Sequence, residues 1–277
     1  MTQMNPMKLK RFTPVQRLFH LLLMVSFLIQ SATGLARMFG GTGWGRSLGS
    51  LFGGYDNARV IHIYVGIFML CGLIVHVVYM LWKIDWRRFP GSLFGPDSLL
   101  PRREDIKQFF QHVAWLFGAR KPPEFDRWGY WEKFDYWAVF WGMTIIGVTG
   151  LMMAYPFTST KWMPGWGLNV AFWIHRIEAI LAMAHIFIIH FFIGHLRRHN
   201  FPMDHAMFEG SVDLDAVREE RPAWIRRLEG PGRLEGALVT GVQPGLKAVY
   251  YVFGFLAIAV GVLMLIGALA NVPLVIW

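Results

Sequence analysis

The sequence predicts an all-α membrane protein: a four-helix transmembrane bundle with a fifth transmembrane helix at its C-terminal end. Three observations predict this class. Of the 277 residues, 55% are hydrophobic and 16% aromatic, which is the composition of a membrane chain. Five apolar stretches, at about 18–39, 60–82, 134–155, 170–194 and 247–270, are each long enough to cross the ~30 Å of hydrocarbon in a bilayer. Lys and Arg gather in alternate connecting segments, as they do when positive charge is kept on the cytoplasmic side.

Each element has its own signal. The first stretch is too long for the apolar core of a signal peptide and carries His20 near its start, so it is read as a retained helix. The next loop, 40–59, is rich in glycine (Gly40, Gly41, Gly43, Gly45, Gly49, Gly53, Gly54) and lacks apolar periodicity, which predicts irregular chain. The second stretch holds His62, Cys71 and His76. After it, Glu104–Phe117 alternates charged residues with Ile106, Phe109, Phe110, Val113 and Trp115. That pattern predicts a short helix lying in the membrane interface, ended by Pro122 and Pro123. The fourth stretch carries His175, His185 and His190. Residues 200–245 are polar and are expected to pack on the inner surface before the fifth span. The organisation expected is a core at 1–230 and a C-terminal extension at 231–277.

Charge sets the orientation. The N-terminal tail has Lys8, Lys10, Arg11 and Arg17, the segment 83–133 has ten Lys/Arg, and 195–245 has seven. The opposite side has Arg37, Arg46 and Arg59 in one loop and Lys161 in another. The expectation is an inner (cytoplasmic) membrane protein of a bacterium or archaeon, N-terminus inside and C-terminus outside. The formal charge of +9 follows this asymmetry, and the cations border helix ends beside anionic headgroups, so nucleic acid is excluded as a partner. The one cysteine, Cys71, excludes a CxxCH haem attachment, an iron–sulfur cluster and a structural zinc site. No nucleotide loop or nucleophile constellation is present either. The chain therefore has no substrate-oxidising site of its own; only quinone reduction or quinol oxidation is open to it.

Histidines carry the functional reading. Imidazole is costly in hydrocarbon, and a histidine there marks a functional path. His62 and His76 are 14 residues apart, and His175 and His190 are 15 apart. At α-helical rise each pair is separated by roughly 21–23 Å, on nearly one face of its helix. The antiparallel helices thus offer an outer pair, His62 with His175, and an inner pair, His190 with either His20 or His76. Two depths of paired imidazoles are the layout for two stacked b haems with axial histidines. Arg17, Arg59 and Arg176 lie within three residues of these histidines and are candidates to pair with haem propionates. His185 is offset from the His175 face and is read as structural, while His112, His195, His199 and His205 are read as interfacial or surface residues. Gly34, Gly66, Gly147 and Gly150 fit either close approach of a flat macrocycle or tight helix packing. Rival readings are a cytochrome b of the bc type, with all ligands on two helices, and a haem-free transporter with a histidine proton path.

Several stretches together resemble a known family. Arg11-Phe12-Thr13 with Arg17-Leu18-Phe19-His20, Ile61-His62 with Gly66, Glu132-Lys133-Phe134-Asp135-Tyr136-Trp137 leading into Gly147-Val148-Thr149-Gly150, and His175 to His190 continuing to Phe208-Glu209-Gly210-Ser211-Val212 resemble the dihaem membrane cytochrome b family of formate dehydrogenase gamma subunits, NiFe hydrogenases and thiosulfate reductases. The likeness runs over roughly residues 8–230. It implies an outer haem on His62 and His175 and an inner haem on His20 and His190, with His76 the alternative inner ligand. It also implies a menaquinone or ubiquinone site built from His190, Tyr130, Glu132 and Lys133. The partners implied are an external iron–sulfur subunit and a molybdopterin or NiFe catalytic subunit. The chain departs from the family pattern at Gly129 and Glu132, where Asn and Gln are usual, and its His175–His190 spacing is one residue longer. The function expected is electron transfer through two b haems between that external partner and the quinone pool, with residues 247–270 placed as an anchor helix.

Overall fold

The computed structural model describes residues 7–197, 200–230 and 232–274. Arg198 and His199 lie outside the described residues. The elements in chain order are β1 (Met7–Lys10), α1 (Pro14–Met38), α2 (Gly43–Ser50), α3 (Tyr55–Lys83), α4 (Arg103–Leu116), α5 (Tyr130–Ala154) and α6 (Pro156–Ser159). There follow α7 (Trp166–Ala184), α8 (Ala206–Glu209), β2 (Ser211–Asp213), α9 (Leu214–Glu220), α10 (Pro222–Leu228), β3 (Leu238–Thr240) and α11 (Pro244–Asn271). Among the described residues, five helices are long and apolar enough to cross a membrane: Pro14–Met38, Tyr55–Lys83, Tyr130–Ala154, Trp166–Leu196 and Gly245–Leu274. The predicted all-α class and its five spans are present, and α4 stands where the interfacial helix was expected.

Three local features differ from the sequence reading. The glycine-rich loop is not wholly irregular: Thr42 accepts from the Gly45 amide at 3.0 Å and caps α2, a polar cap that offsets poor glycine propensity. The fourth span is not α-helical throughout. It passes into π-helix at His185–His190 and again at Phe192–Leu196. A π turn is one residue wider than an α turn, so the His175–His190 stretch does not keep a uniform α-helical period. Third, the N-terminal tail and the polar 200–245 region build an antiparallel sheet in the order β2-β1-β3, with Leu9 opposite Val212 and Leu238.

The chain divides into two compact units. One comprises residues 1–17, 77–139 and 205–248. Its core is Leu9, Leu214, Val217, Trp224 and Ile225, and its polar interior is made of ion pairs. Lys8 pairs with Glu209, and Glu132 with both Arg11 and Arg221. Lys133 Nζ donates to both Asp105 oxygens at 2.8 Å. Arg227 donates to Asp97 Oδ2 at 2.8 Å and to Asp126 Oδ1 at 2.8 Å.

Burial alone would raise the Asp97 carboxyl, but the hydrogen bonds and charge of Arg227, with Arg127, hold it below the usual carboxylate range. A carboxylate depressed in the folded state adds stability above its unfolded value, near 3.8, and loses it as pH falls through the folded value. Asp97→Asn is therefore expected to lower the thermal midpoint at neutral pH, with wild type and variant converging below that window. Melting curves against pH check this, and a constant difference at every pH would refute it.

The other unit comprises residues 18–76, 140–204 and 249–277. Its core joins Leu35, Phe39, Phe187, Phe191 and Met264. The fifth span packs here through small residues. A Cβ at Gly261 would lie 2.8 Å from the Phe187 and Phe191 rings, and one at Gly267 would collide with Trp44. This is the close approach that glycine permits between membrane helices. Many other apolar side chains of the spans are exposed, among them Phe68, Ile74, Val252 and Leu263, as suits surfaces facing lipid.

Candidate functional site

All five membrane histidines proposed as ligands or alternatives belong to the second unit. The His62 ring on α3 and the His175 ring on α7 have centroids 6.2 Å apart and planes inclined by 71°. His20 on α1 and His190 in the first π segment have centroids 6.4 Å apart and planes at 41°. Two imidazoles clamping one metal ion at ordinary metal–nitrogen distances have centres roughly 6 Å apart. Both pairs lie at that separation.

His76 stands differently. Its ring packs edge-on against Phe19 at 4.8 Å and tilted against Phe140 at 5.7 Å. His190 has a second neighbour in His195, at 6.2 Å, so the π segments bring the residue read as interfacial up to an inner-pair histidine.

The outer pair is held by a repeated arrangement that the sequence reading missed. Thr33 Oγ1 lies 3.0 Å from His62 Nδ1, and Thr149 Oγ1 lies 3.2 Å from His175 Nδ1. Each threonine also donates to its own helix, Thr33 to the Ile29 carbonyl at 2.7 Å and Thr149 to the Ile145 carbonyl at 2.6 Å. The next residue in each case is glycine. A Cβ on Gly34 would sit 3.2 Å from His62 Cε1, and one on Gly150 would sit 3.2 Å from His175 Cε1. Thr33-Gly34-Leu35 and Thr149-Gly150-Leu151 were visible as a repeated tripeptide. Its partners were not, because they are 29 and 26 residues away on the following spans.

The arginines sort by environment. Arg59 is exposed. Arg176 lies over the Phe172 and Trp173 rings, 5.8 Å from each centroid. Arg17 donates to the Phe208 carbonyl in the first unit. Arg37, one turn after Thr33 and not among the predicted anchors, stands in the last turn of α1. Its Nε is buried without a hydrogen-bond partner among the described residues.

The predicted quinone residues fall in both units: His190 in the second, and Tyr130, Glu132 and Lys133 in the first. Tyr130 Oη meets His112 Nδ1 at 3.0 Å. Glu132 accepts from the Gly129 amide at 2.7 Å as well as from its two arginines. Lys133 is 1% exposed and tied to Asp105.

The donor set distinguishes a bare metal from a macrocycle. Among the described residues no group of three or more His, Cys, Asp or Glu could hold an ion. Two facing imidazoles can complete the axial positions of an iron whose other four ligands come from a porphyrin. Facing imidazoles on apolar helices, glycine beside the outer pair of rings and an arginine with spare donors fit such a group. Residues 11–210 match the family model described as prokaryotic cytochrome b561. No curated protein matches the chain.

Proposed function

The chain belongs to the prokaryotic cytochrome b561 family, and from that premise we propose that this membrane cytochrome b carries electrons between an external partner and the quinone pool with two b haems. The observation carrying this reading is the pair of imidazole couples, 6.2 Å and 6.4 Å between centroids. Haem, when bound, supplies one-electron iron chemistry. The protein's part is to hold and tune it. His62 and His175 are the proposed outer ligands, and His20 and His190 the inner ones. Arg37, Arg59 and Arg176 are proposed carboxylate anchors at the outer pair, with Arg17 the candidate for the inner.

The proposed orientation has the N-terminus inside, following the cationic segments. The external partner is proposed to be an iron–sulfur subunit with a molybdopterin or NiFe catalytic subunit. The quinone, menaquinone or ubiquinone, is proposed to meet His190. In the other unit, Tyr130 Oη meets His112 Nδ1, and Glu132 and Lys133 hold the start of α5 through their ion pairs. Residues 231–277 are proposed as an extension of the 1–230 core that adds the fifth span.

The test is haem extraction with a dithionite-reduced spectrum of the purified chain, followed by His20→Ala and His76→Ala separately. Two b haems per polypeptide, with the inner one lost in His20→Ala and kept in His76→Ala, is the expected result. The reverse pattern would transfer the ligand to His76 and support the two-helix arrangement of the bc type. A folded chain without haem, purified from haem-replete cells, would leave a histidine proton path as the better account.

A further inference from the structure

We propose that Thr33-Gly34 and Thr149-Gly150 are positioning residues for the outer histidine pair, a duplicated device in which one helix of each hairpin presets the ligand on the next. The proposal rests on the reading of His62 and His175 as axial ligands, and goes beyond it by assigning residues that bind nothing themselves.

The donor inventory fixes the arrangement. His175 Nδ1 lies 2.9 Å from the Ile146 carbonyl, and a carbonyl can only accept. Nδ1 therefore carries the proton, and Nε2 keeps its lone pair for a metal. Thr149 Oγ1 has its hydrogen directed to the Ile145 carbonyl and serves the same Nδ1–H as a second acceptor. The other hairpin repeats the threonine's part: Thr33 spends its hydrogen on the Ile29 carbonyl while accepting from His62 Nδ1. Each threonine hydroxyl also lies 3.2 Å from the carbonyl three residues before it, Gln30 for Thr33 and Ile146 for Thr149.

Glycine completes the device. A Cβ at either glycine would stand only 3.2 Å from the ring Cε1 it faces, so a side chain at residue 34 or 150 would press on the imidazole and require a shift of a few tenths of an ångström. Threonine meets the ring at Nδ1, and the bare glycine leaves room beside the adjoining Cε1. A histidine that donates its second nitrogen is a more basic ligand, and removal of such a partner typically weakens metal binding about 10–100-fold. Because a more basic imidazole favours the ferric state, losing the acceptor raises the midpoint potential of that haem.

The experiment uses the full-length haem-loaded chain in detergent or nanodiscs. Thr33→Val and Thr149→Val keep the shape and remove the acceptor; Thr33→Ser and Thr149→Ser restore the oxygen. A redox titration followed by haem absorbance, with low-spin ferric EPR, reads each haem separately. The haem missing in His62→Ala identifies the outer one. The expected result is an upward shift of the outer midpoint and faster haem loss in the double valine variant, with recovery in the double serine variant and an unmoved inner haem. Gly34→Ala and Gly150→Ala are expected to change the outer haem's EPR signal in the same selective way. Unchanged outer potential, EPR and haem retention in the double valine variant would overturn the proposal, as would a shift confined to the inner haem. A wild-type chain with no haem would instead sink the ligand reading beneath it. Retention of the inner haem shows that each variant has folded.

Discussion

His62→Ala and His175→Ala are each expected to lower bound haem from two per chain to one, and the double variant to do no more than either single. The effect is large because alanine offers no ligand and no nearby group replaces it. Among the described residues, the acceptors around these rings are threonine hydroxyls and backbone carbonyls, which orient imidazole but are not haem ligands of this kind. Equal effects of the singles and the double follow from their acting as one unit, the usual failure of additivity between direct partners. The inner haem should persist, since His62 and His76 mark depths roughly 21 Å apart along one helix. Quantitative haem extraction, with reduced spectra on the same samples, checks the ratio. If both haems disappear in His62→Ala while the protein stays folded, the two sites are coupled and the independent-pair reading is wrong.

The second large effect is on stability. Asp105→Ala is expected to destabilise the chain by about 3–5 kcal/mol, because it strands a buried ammonium. Lys133 is 1% exposed and both of its 2.8 Å contacts to a carboxylate go to this one aspartate. Replacing the pair together, Lys133→Met with Asp105→Leu, should recover most of the loss, since an apolar pair of similar volume carries no desolvation penalty. Thermal unfolding of the solubilised protein measures both variants. The comparison also tests the quinone assignment. A doubly replaced chain that regains stability and quinone reduction leaves Lys133 a structural role; one that regains stability alone gives it a functional one. Glu132 presents the same problem with opposite sign, because its removal leaves Arg11 and Arg221 buried with 7% and 4% of their side chains exposed.

How much of this was legible in the chain depends on the range of the interaction. Spans were readable because hydrophobicity integrates over about 20 residues, so single errors cancel. Helix ends were less so: α3 begins at Tyr55, in a loop expected to be irregular. Depth along helices of predicted direction offered His62 with His175, and His190 with either His20 or His76. The choice between His20 and His76 was not legible, because depth is the same for both and only lateral packing distinguishes them. The structure sets His20 against His190 and surrounds His76 with Phe19 and Phe140.

The sequence by itself determined the membrane class, the five spans, the histidines those spans carry and the family to which the chain belongs. These are set by local composition and by spacing along helices, where one residue advances the chain by a constant rise. Tertiary structure alone decided the rest. The π segments of the fourth span widen the turn before His190, which a uniform helical period cannot anticipate. Thr33 and Thr149 reach histidines on other helices, and Glu132 and Lys133 find their countercharges in α4, at Arg221 between α9 and α10, and at Arg11 just after β1. Those partners are polar groups forced together by burial, and a buried hydrogen bond is specified by which helices meet rather than by the residues that precede it.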